Sequence, residues 1–227
     1  MAALAAERGG TVETGQRGRG RPRTGDEVTD ARLLEGALAA FAEHGYEGTS
    51  IRDIARRLGV SHTLLTARFG PKEGLWFAAM EHTLTEAEGS WRTATADPGG
   101  DDLSALRHGI VEQILFAAAH PEVLRIMTHE GAIDSPRIRF VVERFIAPLR
   151  PLVETRLGRL VAAGQLRDVP YATLHYLVTH GAGALFANPV EAALLGSPPL
   201  SDDAALRAHA EVVADLLITG LTNPQDG

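Results

Sequence analysis

Arginines stand at every second position in Arg17-Gly18-Arg19-Gly20-Arg21-Pro22-Arg23, with no acid between them. Glycines let such a stretch lie deep in a narrow nucleic-acid groove, where negative potential concentrates and draws in guanidinium groups. The plain alternative is a solvated tail. A second set, Ser61, His62, Thr63, Leu64, Thr66 and Arg68, puts hydroxyls, an imidazole and a guanidinium at helical spacing. Side chains of these types hydrogen-bond base edges and phosphates, and an apolar one can meet a thymine methyl. The nine histidines raise metal chemistry, but His175 and His180 are five apart, not the four that places two ligands on one helical face. No Gly-x-Ser-x-Gly elbow or P-loop occurs. Gly181-Ala182-Gly183 follows a helical pattern instead of a strand, so it is no dinucleotide fingerprint. With no cysteine, thiolate metal sites and disulfides are excluded. An enzyme, a metal and a cofactor are all unexpected.

The elements that position these residues are helical. Residues 1–27 have almost no large apolar side chains and are expected to form a disordered arm. Leu33, Leu34, Ala37, Leu38 and Phe41 then mark one face of a helix, capped by Thr29 or Asp30 and ended at Gly45. Ser50 and Asp53 form an S-x-x-D capping box for a second helix, and Gly59 breaks it. Ser61 caps a third running to Phe69, with Ile54, Ala55, Leu58, Val60, Leu65 and Phe69 as the shared core. Pro71 opens a fourth that runs past Trp91 to the break at residues 97–100. Further helices are expected over 101–119, 121–131, 135–163 (bent near Pro148 and Pro151), 170–187 and 201–221, about nine in all. No period-2 stretch is evident, so the expected class is all-α. Helix, glycine turn and helix over 51–69 fits a helix-turn-helix, although spacing alone fits an ordinary helical hairpin equally well.

The residue identities are more specific than the spacing. The run Leu34-Glu35-Gly36-Ala37-Leu38-Ala39-Ala40-Phe41-Ala42-Glu43-His44-Gly45-Tyr46-Glu47-Gly48-Thr49-Ser50-Ile51-Arg52-Asp53-Ile54-Ala55 closely resembles the N-terminal signature of the tetracycline-repressor (TetR) family. So do Leu58-Gly59-Val60-Ser61, Phe69 and Lys72-Glu73-Gly74-Leu75. The resemblance implies a three-helix DNA-binding unit over 28–75 and a ligand-binding, dimerising unit over 76–227, with repression relieved by ligand. It places Thr49, Ser50, Arg52 and Lys72 at the DNA backbone, and Ser61, His62, Thr63 and Thr66 on the groove side. Thr66 stands where the family has a phosphate-reaching tyrosine and His62 where it has a lysine, so the family's operator does not transfer. Arg68 is positioned to add a phosphate contact. The stretch Gly18-Arg19-Gly20-Arg21-Pro22-Arg23 looks like the core of an AT-hook.

The family architecture also implies that the last two helices pair with their copies in a four-helix bundle. Leu206, His209, Val213, Leu216 and Gly220 share a helical face, and Leu177 with Gly181, Ala184 and Asn188, or else Gly183 and Ala187, offers a second surface. The other possibility is that these faces close the monomer core. Trp76, Met80, Trp91, Phe116, Met127, Phe140 and Phe145 are the bulky candidates for a ligand pocket. Arg144, His108, His120 and His129 are its candidate polar handles. Lipids, antibiotics or signalling lactones are the effector class that the resemblance implies.

Charge is divided unequally. Net charge is −7, yet residues 1–75 balance to +1 and residues 76–227 to −8. Only the N-terminal third can face phosphate comfortably. No apolar run reaches the ~18 residues of a bilayer span, and no secretion leader is expected. The expected partners are double-stranded DNA, a small molecule and a second copy of the chain, with no membrane and a cytoplasmic setting. An architectural minor-groove protein without ligand control is the rival reading.

Overall fold

The computed structural model describes residues 29–95, 101–198, 200 and 202–222. Arg19, Arg21 and Arg23, with the rest of the expected arm, lie outside the described residues. Among the described residues the fold is all-α, with no strand and one isolated bridge between Leu166 and Thr222. None of those helices is long and apolar enough to cross a membrane.

Helices α1 (Asp30–His44), α2 (Ile51–Leu58) and α3 (His62–Phe69) form the N-terminal bundle. Each starts on a hydroxyl: Thr29, Ser50 and Ser61 accept the backbone N–H three residues on. This satisfies a donor that the first turn leaves without a partner. Gly59 takes φ 69° and ψ 25°, the left-handed turn between α2 and α3, where a β-carbon would be strained. Ile54, Ala55 and Leu65 are buried against the α1 face, and Leu58, Val60 and Phe69 pack partly buried beside them.

That core continues into α4 (Lys72–Thr95). Trp76 and Met80, expected in a ligand pocket, are 1% and 0% exposed within this cluster. The apolar face of α1 needs a cover, and the first turns of α4 supply it. Phe140 joins the same cluster, its ring 4.7 Å from that of Phe77, and so is also core instead of pocket wall.

The remaining helices are α5 (Asp102–Ala119), α6 (Pro121–Glu130), α7 (Pro136–Val141), α8 (Arg150–Ala162), α9 (Tyr171–Tyr176), α10 (Ala184–Ala187), α11 (Pro189–Leu194) and α12 (Asp203–Leu221). Apolar periodicity does not mark the short α11. A second core gathers around α5, with Ile110 and Ile114 meeting Val153 and Leu157 of α8, Leu174 of α9, and Ala210, Ala214 and Ile218 of α12. Charged clamps fix its edges: Arg159 and Arg156 of α8 hold Asp102 at 2.5 and 3.0 Å, and Arg107 of α5 holds Asp215 at 2.6 Å.

Two helices contain wide π-turns, at Val142–Ile146 and Leu177–Gly181. The Ala147 N–H donates to the Val142 carbonyl at 2.8 Å, and the Ala182 N–H to the Leu177 carbonyl at 3.0 Å, each five residues back. After the first, the chain turns before α8, because Pro148 and Pro151 have no N–H to continue the ladder. In the second, the inward positions run Leu174, Val178, Gly183, Ala187, with the step of five at the wide turn. Gly183 lies close to α5 and α6; a β-carbon there would be 3.0 Å from Leu124 Cδ2 and 3.3 Å from Ala117 Cβ.

Candidate nucleic-acid interface and ligand chamber

Helix α3 is anchored by few side chains. Leu65 is buried and Leu64 and Phe69 are half-buried, whereas His62, Thr63, Thr66 and Arg68 stand exposed on the opposite side. Its eight residues make a rod about 12 Å long, the scale of a major groove. The Ser61 hydroxyl accepts the Leu64 N–H at 3.1 Å, and the Thr66 hydroxyl donates to the His62 carbonyl at 3.0 Å. Leu64 is half-buried and Thr63 exposed.

The flank of α2 is cationic but mostly paired. Arg56 pairs with Asp53 and Arg57 with Glu43, whose carboxyl the Arg57 hydrogen bond holds below its ordinary range. Arg68 pairs with Asp30 at 2.8 Å. Ser50 donates to the Asp53 carboxylate at 2.5 Å while accepting the Asp53 N–H at 3.2 Å, which caps α2. Arg52 is exposed, and no hydrogen bond or ion pair to it occurs among the described residues.

Two residues expected at the DNA backbone turn inward. Thr49 is 4% exposed and its hydroxyl donates to the Gly45 carbonyl at 2.7 Å, locking the turn between α1 and α2. The Lys72 ammonium donates to the carbonyls of Tyr46 and Thr49 at 2.9 and 3.2 Å. It is thus a brace between α4 and that same turn, placed there because the turn leaves two carbonyls without helix partners.

The Tyr46 ring continues this brace into the body. Lys72 Nζ lies 4.1 Å from the ring centroid and the Arg137 guanidinium 3.6 Å. Arg137 in turn pairs at 2.9 Å with Glu130 at the end of α6, and Ser135 donates to the same carboxylate at 2.9 Å. Glu130 is 6% exposed. Nothing in the sequence pattern brings Tyr46 to Glu130 and Arg137, since it lies more than eighty residues before them.

The body holds a partly open cavity of about 160 Å³ between α4, α5, α6, the first π-turn, α8, α9 and the second π-turn. Of the expected lining, Trp91, Phe116, Met127 and Phe145 reach it, beside Leu106, Ile110, Val123, Leu174 and Val178. Trp76, Met80 and Phe140 do not, for the packing reasons above. Arg144 does not either: it is exposed and reaches Glu88 at 3.3 Å and Glu81 at 4.0 Å. Among the polar candidates, His120 lines the cavity, whereas His108 and His129 stand exposed and line none of it.

Six polar side chains that sequence reasoning did not assign also line it: Glu88, Gln113, Tyr171, His175, Thr179 and His180. Burial raises the Tyr171 phenol and lowers both imidazoles from their ordinary values; His180 adds charge repulsion for His175. The run Tyr171, Leu174, His175, Val178 has helical spacing, a signal for one lined face, but it does not say what the face encloses.

The expected subunit surface divides. Leu177 and Leu216 are 47% and 68% exposed, and Gly181 and Gly220 are open as well. Leu206, Val213 and Ala184 are half-buried, Val213 packing on the second core. Helix α12 closes that core with Ala210, Ala214 and Ile218, so the open stripe runs through Val212 and Leu216, with Tyr176 exposed on α9.

The family model for bacterial regulatory proteins of the tetR family matches residues 33–79, the helix-turn-helix and the start of α4. The HTH-type transcriptional repressor AcnR of Corynebacterium efficiens is 31% identical over 166 residues, covering 69% of this chain and 80% of the relative. The HTH-type transcriptional repressor NicS of Pseudomonas putida is 29% identical over 177 residues, covering 74% of this chain and 77% of the relative. The ketosteroid transcriptional regulator KstR2 of Mycobacterium tuberculosis shares the fold, with a TM-score of 0.67 at 19% identity over 88% of this chain and 98% of its own. With the signature at the helix-turn-helix and a relative matched over four-fifths of its length, the chain belongs to the tetR family of bacterial regulatory proteins.

Proposed function

We propose that the chain is a dimeric, cytoplasmic transcriptional repressor that binds a two-fold operator and leaves it when a small apolar molecule enters the chamber. The observation that carries this reading is α3, a short helix held by Leu65 whose other face offers His62, Thr63 and Thr66 to solvent. Residues 28–75 act as the DNA unit, with Arg52 and Arg68 on phosphates and the α3 face in the groove. Residues 76–227 act as sensor and dimer unit, with Leu177, Gly181, Leu216 and Gly220 on the surface against the second copy. Two copies place two recognition helices on half-sites one helical turn apart. Arg19, Arg21 and Arg23 add minor-groove contacts alongside.

Binding to an inverted repeat taken from upstream of the protein's own gene tests this. Against a scrambled duplex at matched salt, operator affinity is expected to be about 10³-fold or more tighter. Equal affinities would refute a sequence-specific repressor and leave an architectural protein. Removing residues 1–25 is expected to weaken binding and flatten its salt dependence.

A further inference from the structure

The polar end of the chamber is built in a particular way. The Thr179 hydroxyl donates to the His175 carbonyl at 2.7 Å. A threonine hydroxyl has one proton, so at its 2.9 Å contact with His180 Nδ1 the oxygen accepts and the ring nitrogen donates. This fixes the tautomer: His180 Nε2 carries the lone pair. The His175 imidazole makes no hydrogen bond among the described residues and lies beside the Tyr171 ring, centroids 5.7 Å apart. Among the described residues, no lysine or arginine lines the chamber.

Other titratable groups stand near: Arg125 and His129 of α6 border a second recess that His180 also lines, and the Arg125 guanidinium donates to the Ala187 carbonyl at 2.8 Å. Glu88 of α4 is held by Arg92 at 2.8 Å and by Arg144 at 3.3 Å. His120, between α5 and α6, has Nε2 3.8 Å from the Glu86 carboxylate. On α8, Arg150 lies 5.6 Å from the Tyr171 ring and pairs with Glu154.

We propose, building on the reading of the cavity as the effector site, that the effector is a compact hydrophobic alcohol or phenol whose uncharged hydroxyl donates to His180 Nε2. A carboxylate would meet the His180 lone pair, with no lysine or arginine among the lining residues to offset its charge. Glu88 is already held by Arg92 and Arg144, so an ammonium would leave water for the neutral His180 acceptor, a large desolvation cost. A hydroxyl can donate to His180 and accept from His175 without changing the charge of either. Apolar walls enclosing about 160 Å³ suit one ring or a short chain.

The test uses four probes with one carbon skeleton: cyclohexylmethanol, methylcyclohexane, cyclohexanecarboxylate and cyclohexylmethylammonium. Calorimetry on the full chain is expected to rank the alcohol about tenfold tighter than the hydrocarbon, with both ions weaker still. His180→Leu is expected to erase the preference for alcohol over hydrocarbon, and Thr179→Val to reduce it by freeing the tautomer. Unchanged affinity for methylcyclohexane certifies that each variant is folded. An ion binding as tightly as the alcohol, or a preference that survives His180→Leu, overturns the proposal and leaves the repressor reading intact. If none of the four binds, the cavity is no effector site and both this proposal and ligand control fall. Operator recognition, measured separately, then still stands.

Discussion

The helix-turn-helix and the chamber differ in how far the chain must reach to make them. Thr29, Ser50 and Ser61 each start a helix by accepting an N–H three residues away, so this unit is assembled from short-range contacts. The chamber draws on segments from Leu84 to His180, none of which makes a wall by itself. The first region can therefore hold its recognition face constant while the second changes shape. A regulator needs this asymmetry, because a ligand shifts an equilibrium only through contacts that differ between two states. The Glu130–Arg137–Tyr46–Lys72 chain joins the two regions, from the end of a chamber helix to the turn that positions α2.

The two tryptophans give the largest contrast between core and wall. Trp76→Ala opens the fully buried core beneath α1 and is expected to lose about 3–5 kcal/mol in urea unfolding. Trp91→Ala, on the chamber wall, is expected to lose clearly less and to change probe binding instead; equal losses would erase the distinction between core and chamber. Glu130→Ala leaves Arg137 without its partner in a mostly buried site, at a cost of about 3 kcal/mol. If its stability matched that of the parent chain, the junction would be ornamental. Ser61→Ala removes only the cap of α3 and is expected to cost about 1 kcal/mol, with weaker operator binding as the recognition helix frays.

Smaller effects separate surface from brace. Arg52→Ala is expected to leave the thermal midpoint unchanged and to lower the log–log salt slope by about 0.9, the share of the one phosphate that its guanidinium neutralises. Thr49→Val should do the reverse, costing stability without altering the slope, since its hydroxyl is turned inward. A lower slope for Thr49→Val would return that residue to the DNA surface. The weakest effect is in pH. Burial lowers the folded pKa of His175 and His180 from the ordinary value of 6.5, so the unfolded chain takes up protons first. Their contribution is complete above about pH 6.5 and is lost progressively as pH falls toward the folded values. Unfolding of a His175→Asn/His180→Asn variant across that range should show a shallower decline than the parent; parallel curves would mean that other groups set the slope.

Much of the N-terminal bundle was legible because its signals are local: hydroxyl before the helix, glycine after it, apolar residues at three and four between. The same locality misled at Thr49 and Lys72. A polar residue near a helix start reads as surface until the carbonyls that claim it are seen in three dimensions. Trp76, Met80 and Phe140 show the complementary limit, since a bulky apolar side chain fits a core and a pocket wall equally well in sequence. On α12, a single periodic stripe contained both faces: Val213 turned to the core, and Leu216 to solvent. His175 and His180 failed the four-residue test for a metal pair, and that test could not reveal that a π-turn brings both to one chamber.

The step of five between Val178 and Gly183 means that this helix holds one residue more than its packing against α5 requires. That residue behaves as a shim. Deleting it would let the helix close into regular turns with Val178 and Gly183 still seated on their neighbours, now four apart. The scaffold would survive, and the offset that lets Thr179 and His180 look into the chamber while Leu177 looks out would vanish. The hydroxyl recognition proposed for this end is thus an insertion laid over a ready-made helix, removable in one step without dismantling what lies beneath.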